Sequence, residues 1–253
     1  MLDRQVDAHA VGFASPRRVV QYESHVTACI VIPALDAEAS LGGVIDELRR
    51  ELPTSDIVVV DDGSRDRTAH VARERACLVR VHARNLGKGA ALRTGFLEAA
   101  RRGHTVALTV DADGQHPADE AKRVLLAAAD DATFVLGVRA LERDGAPRKN
   151  VVSNGISNFF LSKFAGRPLH DTQCGLRRYP IERTLSLGAR GTGYEFEAEV
   201  LLRAVWAGVP VVELPIRVLY PEDRVTHFRI KRDVTRIIGA VVSASLEHVV
   251  GRA

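Results

Sequence analysis

The chain has 253 residues, 46% of them hydrophobic and 26% charged, with 35 Lys and Arg against 32 Asp and Glu. That composition excludes a disordered or collagen-like chain, and a net charge of +3 is far from the basic excess of a dedicated nucleic-acid binder, so no nucleic-acid partner is expected. Cys29, Cys77 and Cys174 are odd in number and form no CxxC, which fits a cytoplasmic, reducing setting and small apolar side chains rather than a disulfide framework.

Residues 1–27 hold Asp3, Arg4, Asp7, Arg17, Arg18 and Glu23 and no apolar stretch, so they are expected to be a flexible N-terminal extension and not a secretory signal. The longest uncharged run, 150–162, falls well short of the ~18 residues a spanning helix needs. From residue 28 onward short apolar runs recur at 28–32, 57–61, 79–81, 105–110 and 133–138. Runs without a polar face suit strands buried on both sides. Between them, Leu41, Val44, Ile45, Leu48 and Leu52 keep helical spacing, as do Leu92, Phe96, Leu97 and Ala100, and Val124, Leu125 and Ala128. Strand–helix alternation predicts right-handed βαβ units and a mostly parallel sheet flanked by helices.

The second part is less regular. A helix is predicted over 150–164 with Ile156, Phe159, Phe160 and Phe164 on its apolar face, and another around Phe196, Val200, Leu201 and Val205. A strand is predicted at 211–216. The spacing of Val234, Ile237, Ile238, Val241 and Val242 predicts an amphipathic helix over 231–253. Without a linker or repeat, residues 28–230 form a single α/β domain.

In open parallel sheets ligands bind beyond the carboxyl ends of the strands. Here those ends carry Pro33 to Glu38, Asp61-Asp62-Gly63-Ser64, and Asp111-Ala112-Asp113-Gly114-Gln115-His116. Residues i and i+2 of a strand face one side, so Asp111 and Asp113 can look at one ion. Hard oxygen ligands suit Mg²⁺ or Mn²⁺, and Gln115 can add a carbonyl oxygen. An ion there can neutralise the charge of a departing diphosphate. The plainer reading is an Asp-rich turn capping a helix that begins near Pro117. Asn85 to Gly89, with Lys88, precedes a helix and can cradle phosphate. It is not a P-loop, since Gly follows Lys88, and no GxGxxG follows the first strand, which argues against a dinucleotide oxidoreductase.

The order of 58–64 (VVVDDGS), 85–95 (NLGKGAALRTG), 111–116 (DADGQH) and 171–175 (DTQCG) resembles the family 2 glycosyltransferases of GT-A fold, and within them the dolichyl- and polyprenyl-phosphate mannose and glucose synthases. The resemblance spans about residues 28–230. It implies a Rossmann-like single domain and inverting, metal-dependent transfer of a hexose from a GDP- or UDP-sugar to a lipid phosphate at the cytoplasmic face of a membrane. By position, Pro33, Leu35, Val60 and Asp62 would hold base and ribose. Asp111, Ala112 and Asp113 would lie along the diphosphate near Lys88, with Asp113, Gln115 and Asp111 around the metal. Arg139 and either Arg148 or Lys149 would meet a donor or acceptor phosphate, as would Arg224, His227 and Arg229. Asp171 would sit near the transferred sugar, and Glu195 and Glu197 near the acceptor. Two stretches depart from the pattern: Ala34-Leu35-Asp36-Ala37-Glu38 replaces an aromatic residue followed by Asn-Glu, and His227 stands about where a lysine is usual. Glu199 and Arg203 read as an i,i+4 surface pair.

A lipid monophosphate is already largely ionised and needs positioning by cations, whereas a hydroxyl acceptor needs a carboxylate base such as Asp171 or Glu195. The alternatives to a lipid acceptor are a soluble or protein hydroxyl, or a non-catalytic nucleotide-sugar-binding module. Arg229, Lys231, Arg232 and Arg236 lead into the tail helix. It would rest on an anionic membrane surface, on its own domain, or on a second subunit of a homo-oligomer.

Overall fold

Strands built from Val and Ile with no polar face belong in the middle of a sheet covered on both sides. In the computed structural model, which describes residues 28–220 and 230–250, these runs form that middle. The first half of the chain runs β1 (Ala28–Ala34), α1 (Glu38–Glu51), β2 (Asp56–Asp61), α2 (Thr68–Glu74), β3 (Leu78–Val81), α3 (Lys88–Arg101), β4 (Val106–Thr109), α4 (Ala118–Leu125) and β5 (Phe134–Arg139). It continues through α5 (Arg148–Ala165), β6 (Arg177–Pro180), α6 (Ile181–Ser186), α7 (Glu195–Trp206), β7 (Val211–Ile216) and α8 (Ile230–Val250).

The sheet has seven strands in the order β3-β2-β1-β4-β6-β5-β7. All neighbouring pairs are parallel except those of β6, which runs antiparallel to β4 and β5. From β1 the chain proceeds outward through β2 and β3 on one side and then returns to place β4 on the other. That reversal opens a crevice at the carboxyl ends of β1 and β4. Register puts Ala34 beside Asp61 and Val31 beside Thr109, so the acidic segments after β2 and β4 flank the end of β1.

The sheet matches the architecture expected from the apolar runs, with differences at β6, α2 and α6 and in the faces that α5 and α3 bury. Strand β6 and helix α2 carry too little periodicity to be foreseen. In β6, Arg177 and Arg178 are both fully buried. Neighbouring residues of a strand point to opposite faces, so each guanidinium finds its own carbonyls. Arg177 donates to Cys174 O, Thr172 O and Glu197 O at 2.6, 2.8 and 2.8 Å, and Arg178 to Thr133 O at 2.6 Å and to Asp130 O.

Helix α5 is turned round relative to its predicted face. Ile156 and Phe159 stand 41% and 64% exposed, while Ser153, Asn154, Ser157 and Leu161 face inward. The polar side of the helix moors the loop before β6. Thr172 donates from its hydroxyl to Ser157 Oγ at 2.9 Å and from its N–H to Asn158 Oδ1 at 2.9 Å. In α3, Leu97 and Ala100 are exposed and the buried face is Ala91, Leu92, Gly95, Phe96 and Ala99. Gly95 belongs to it because a Cβ there would overlap Val31 Cγ1, so α3 lies close on β1.

Helix α8 buries Val234, Ile237, Val241 and Ala244 and packs on α7 and α5. No helix among the described residues is long and apolar enough to cross a membrane. Cys29 and Cys174 are buried, and burial pushes both thiols up to about 12.

Candidate active site

A cavity of about 900 Å³ opens where the strand order reverses. Pro33, near the end of β1, and Leu35, just after it, line it together with Asp62, Lys88, Asp111 and Asp113. The loop after β1 is pinned at both ends. Asp36 N donates to Ser64 Oγ at 2.9 Å, Arg65 N donates to Asp36 Oδ1 at 2.8 Å, and Ser40 Oγ donates to Ala112 O at 2.7 Å. Val60, expected at the nucleotide, is fully buried within β2 and does not line the cavity, so its side chain serves the core. Asp62 is nearly buried and turned toward the neighbouring loop. Its oxygens accept from Leu86 N at 2.9 Å and Gly87 N at 2.7 Å, and His82 Nδ1 lies 2.6 Å away. Asp62 thereby fixes the turn that starts α3 and presents Lys88.

Lys88 Nζ sits 2.7 Å from Asp111 Oδ1 and 3.0 Å from Glu197 Oε2. Burial works against its charge, but the carboxylates of Asp111 and Glu197 outweigh burial and hold the ammonium above the ordinary lysine range. Burial likewise opposes ionisation of Asp111, and the Lys88 ammonium more than offsets it, so the carboxyl titrates below its usual range. His116 is buried at 3.9 Å from Asp111 Oδ2, and burial brings its pKa down to about 4, leaving a neutral imidazole at pH 7. Its Nδ1 has no hydrogen-bond partner.

Asp113 Oδ1 accepts from Gln115 N at 3.1 Å, closing a turn at the rim, and Gln115 Nε2 donates to Leu219 O at 3.3 Å. Two carboxylates and an amide oxygen make a hard donor set that fits Mg²⁺ or Mn²⁺. Among the described residues no group of three His, Cys, Asp or Glu side chains can cage an ion, so other ligands would have to come from water or phosphate. Gly175 backs this rim: a Cβ there would overlap the Asp111 carboxylate. We expect Gly175→Ala to fold and to lose at least tenfold in affinity for a nucleotide–Mn²⁺ pair, read by calorimetry. Unchanged affinity would show that the position of Asp111 is immaterial.

Cations also line this cavity, two of them already paired, Arg139 with Asp171 and Arg232 with Asp233. Arg139, at the end of β5, lines it, as do Lys149 at the start of α5 and Arg232 and Arg236 on α8. Arg148 instead lies on a neighbouring apolar groove with Val152, Ile156 and Val234, so of the two residues Lys149 is the one on the cavity. Arg224, His227 and Arg229 lie outside the described residues. Asp171, expected near the transferred sugar, is fully buried and not on the cavity wall. Both its oxygens are taken by Arg139, from Nε at 2.7 Å, Nη2 at 2.9 Å and the backbone N–H at 3.0 Å. Burial disfavours the Arg139 charge, and Asp171 more than restores it. Asp171 is placed to orient Arg139 and not to accept a proton from an acceptor.

Glu195 folds back on its own turn, accepting from Thr192 N at 3.1 Å and Gly193 N at 2.9 Å, and does not line the cavity. Glu197, two residues further along α7, does. Glu199 is buried rather than on the surface. It accepts from Arg190 N and Gly191 N at 2.9 Å each and from Arg203 Nε at 2.8 Å, so it anchors a loop as well as pairing with Arg203. Arg232 and Arg236 are not recognisable as cavity residues from the sequence, because their helix is distant in the chain from the strands that frame the cavity.

The family described as Glycosyl transferase family 2 matches residues 29–183. Polyprenol monophosphomannose synthase of Mycolicibacterium smegmatis is 32% identical, over 74% of this chain and 75% of its own length. Undecaprenyl-phosphate mannosyltransferase of Micrococcus luteus is also 32% identical, over 74% of this chain and 81% of its own. Among solved structures, glucosyl-3-phosphoglycerate synthase of Mycobacterium tuberculosis, in complex with Mn²⁺, UDP and phosphoglyceric acid, superposes with a TM-score of 0.69 at 19% identity, over 87% of this chain and 79% of its own. At that identity the likeness is one of fold, the GT-A fold.

Proposed function

The chain belongs to glycosyl transferase family 2, and on that premise we propose that it moves a hexose, with inversion, from a nucleotide diphosphate sugar to a polyprenyl phosphate. One observation carries the choice of acceptor. The cavity that Asp111 and Asp113 line also presents Arg139, Lys149, Arg232 and Arg236, while Asp171 and Glu195, the carboxylates expected to serve a hydroxyl acceptor, are engaged elsewhere and Glu197 is tied to Lys88. A phosphate monoester carries its nucleophilic oxygen already ionised, so cations that place it are what the reaction requires. The names of the two mannosyl relatives support the same acceptor class.

Pro33 and Leu35 would flank the base, and Asp62 would act through the turn it holds. Asp113, with Asp111 and Gln115, would hold a divalent ion, which supplies positive charge to the leaving diphosphate. Arg139 and Lys149 would grip the acceptor phosphate and aim one oxygen at the anomeric carbon from the side opposite the diphosphate. Asp171 keeps the Arg139 guanidinium in the one orientation that faces the cavity. The exposed Val152, Ile156 and Phe159 on α5 support peripheral contact with a membrane surface at the cytoplasmic face.

The test is transfer from radiolabelled GDP-mannose and UDP-glucose to extracted polyprenyl phosphate, followed by solvent partition. Label is expected in the organic phase. In Lys149→Ala the KM for polyprenyl phosphate should rise about tenfold, the worth of one charge-assisted hydrogen bond, with the donor KM unchanged. Label that is transferred yet stays in water would replace the lipid by a soluble acceptor. Absence of any transfer or donor hydrolysis would favour a binding module.

A further inference from the structure

Helix α5 leaves Ile156 and Phe159 exposed while Ser153 and Ser157 are buried and Asn158 turns to the loop before β6. Keeping apolar side chains in water so that polar ones can face inward costs free energy, and folds break such rules chiefly at functional positions. What Asn158 holds is Asp171, by both of its chain neighbours. Asn158 Nδ2 donates to His170 O at 2.6 Å, and Asn158 Oδ1 accepts from Thr172 N at 2.9 Å. A side chain that grips the backbone on either side of one residue fixes where that residue's own side chain starts and points. The loop is also tied to β7, where Glu213 accepts from His170 N at 2.8 Å.

The carboxylate held in this way is the one that aims Arg139, accepting from its Nε at 2.7 Å and its Nη2 at 2.9 Å. Arg139 reaches the cavity on a long, rotamer-rich side chain, so its aim depends on Asp171, and that of Asp171 on residues 170 and 172. A binding group must be held to within ~0.5 Å, and a misplacement of about 1 Å costs on the order of 100-fold. The first turn of α5 also carries Lys149 to the cavity. We infer that Asn158 is a positioning residue: through His170, Thr172 and Asp171 it sets where the Arg139 guanidinium meets the acceptor phosphate. A single rigid helix then fixes both cations, Lys149 directly and Arg139 at one remove. This rests on the acceptor reading above. Asn158 does not itself line the cavity, so its influence on an acceptor passes through these contacts.

The experiment measures by calorimetry the binding of farnesyl phosphate, a short prenyl phosphate, and separately of UDP and GDP with Mn²⁺. The proteins compared are the wild type, Asn158→Ala, Ser157→Ala, Arg139→Met and the double variant Asn158→Ala/Arg139→Met. Asn158→Ala should weaken farnesyl phosphate binding about tenfold, as expected when a hydrogen bond from a charged group is misaligned, with nucleotide affinity kept within about twofold. Ser157→Ala removes a partner of the Thr172 hydroxyl but leaves both ties to Asn158. It should lower the thermal midpoint and keep farnesyl phosphate affinity, whereas a merely structural role for Asn158 would weaken affinity in both variants in proportion to their midpoints. With Arg139→Met no guanidinium is left to aim, so adding Asn158→Ala should change affinity by less than about twofold. Where Asn158→Ala is too unstable to assay, Asn158→Asp keeps the oxygen for Thr172 N and loses only the donor to His170, and a loss of about threefold that disappears with Arg139→Met is expected. An equal loss with and without Arg139 would overturn the inference and leave the acceptor reading intact. A wild type that binds nucleotide with Mn²⁺ yet holds farnesyl phosphate no better than farnesol would overturn the acceptor reading and the inference with it.

Discussion

Asp113→Asn should cut turnover about a thousandfold and leave the fold unchanged. The two effects separate because the side chain has two separable parts. Its Oδ1 closes the rim turn by accepting from Gln115 N at 3.1 Å, and asparagine keeps an oxygen there to do the same. What is lost is the charge. The rim already contains Asp111, but Lys88 neutralises that carboxylate at 2.7 Å, so Asp113 is the anion best placed to retain a divalent ion beside the diphosphate. Ion-assisted departure of a phosphate is worth several kcal/mol, and each 1.36 kcal/mol is tenfold in rate, which gives roughly three orders of magnitude. The thermal midpoint should stay within about 2 °C, because surface substitutions away from the core seldom exceed ~0.5 kcal/mol. Turnover near wild type would remove Asp113 from the site. A collapsed midpoint would show that its charge is structural.

What the chain discloses before folding is governed by how local the physics is. The runs ending at Pro33, Asp61 and Val110 are legible because a strand buried on both faces must be apolar throughout, and the motif at 111–116 is legible because two carboxylates at i,i+2 are costly unless something uses them. Strand β6 is hidden for the opposite reason. Arg177-Arg178 has the composition of a surface, and only the distant carbonyls of Thr172, Glu197 and Thr133 make its burial tolerable. Helix α5 misleads in the same way: its aromatic residues suggest a core face, whereas the loop it must hold, around Thr172, requires the serine and asparagine side. Glu195 and Glu197 are equally acidic and two residues apart, yet one caps its own turn and the other meets Lys88. The choice between them depends on how α7 sits against α3, which no local pattern encodes. Arg232 and Arg236 reach the cavity only because α8 returns to pack on α5 and α7.

Asp171→Ala should be the most damaging single change to stability among the site residues. Asp171 is fully buried, and Arg139 gives it two guanidinium N–H groups and a backbone N–H, so removing the carboxylate strands a cation beside the core. Breaking a buried pair from one side costs ~3–5 kcal/mol. For a chain of this length each kcal/mol lowers the midpoint by ~2–4 °C, so a fall of roughly 10 °C is expected by calorimetry. Transfer should fail as well, since a released guanidinium no longer faces the acceptor. The double variant Asp171→Ala/Arg139→Met decides between the orienting role and a role as proton acceptor. Removing both charges relieves the stranded cation, so part of the lost stability should return, while transfer stays absent because the cation that grips the phosphate is gone. A general base would behave differently: the Arg139→Met single variant, which keeps Asp171, would then turn over near the wild-type rate, and that result would refute the orienting role of Asp171.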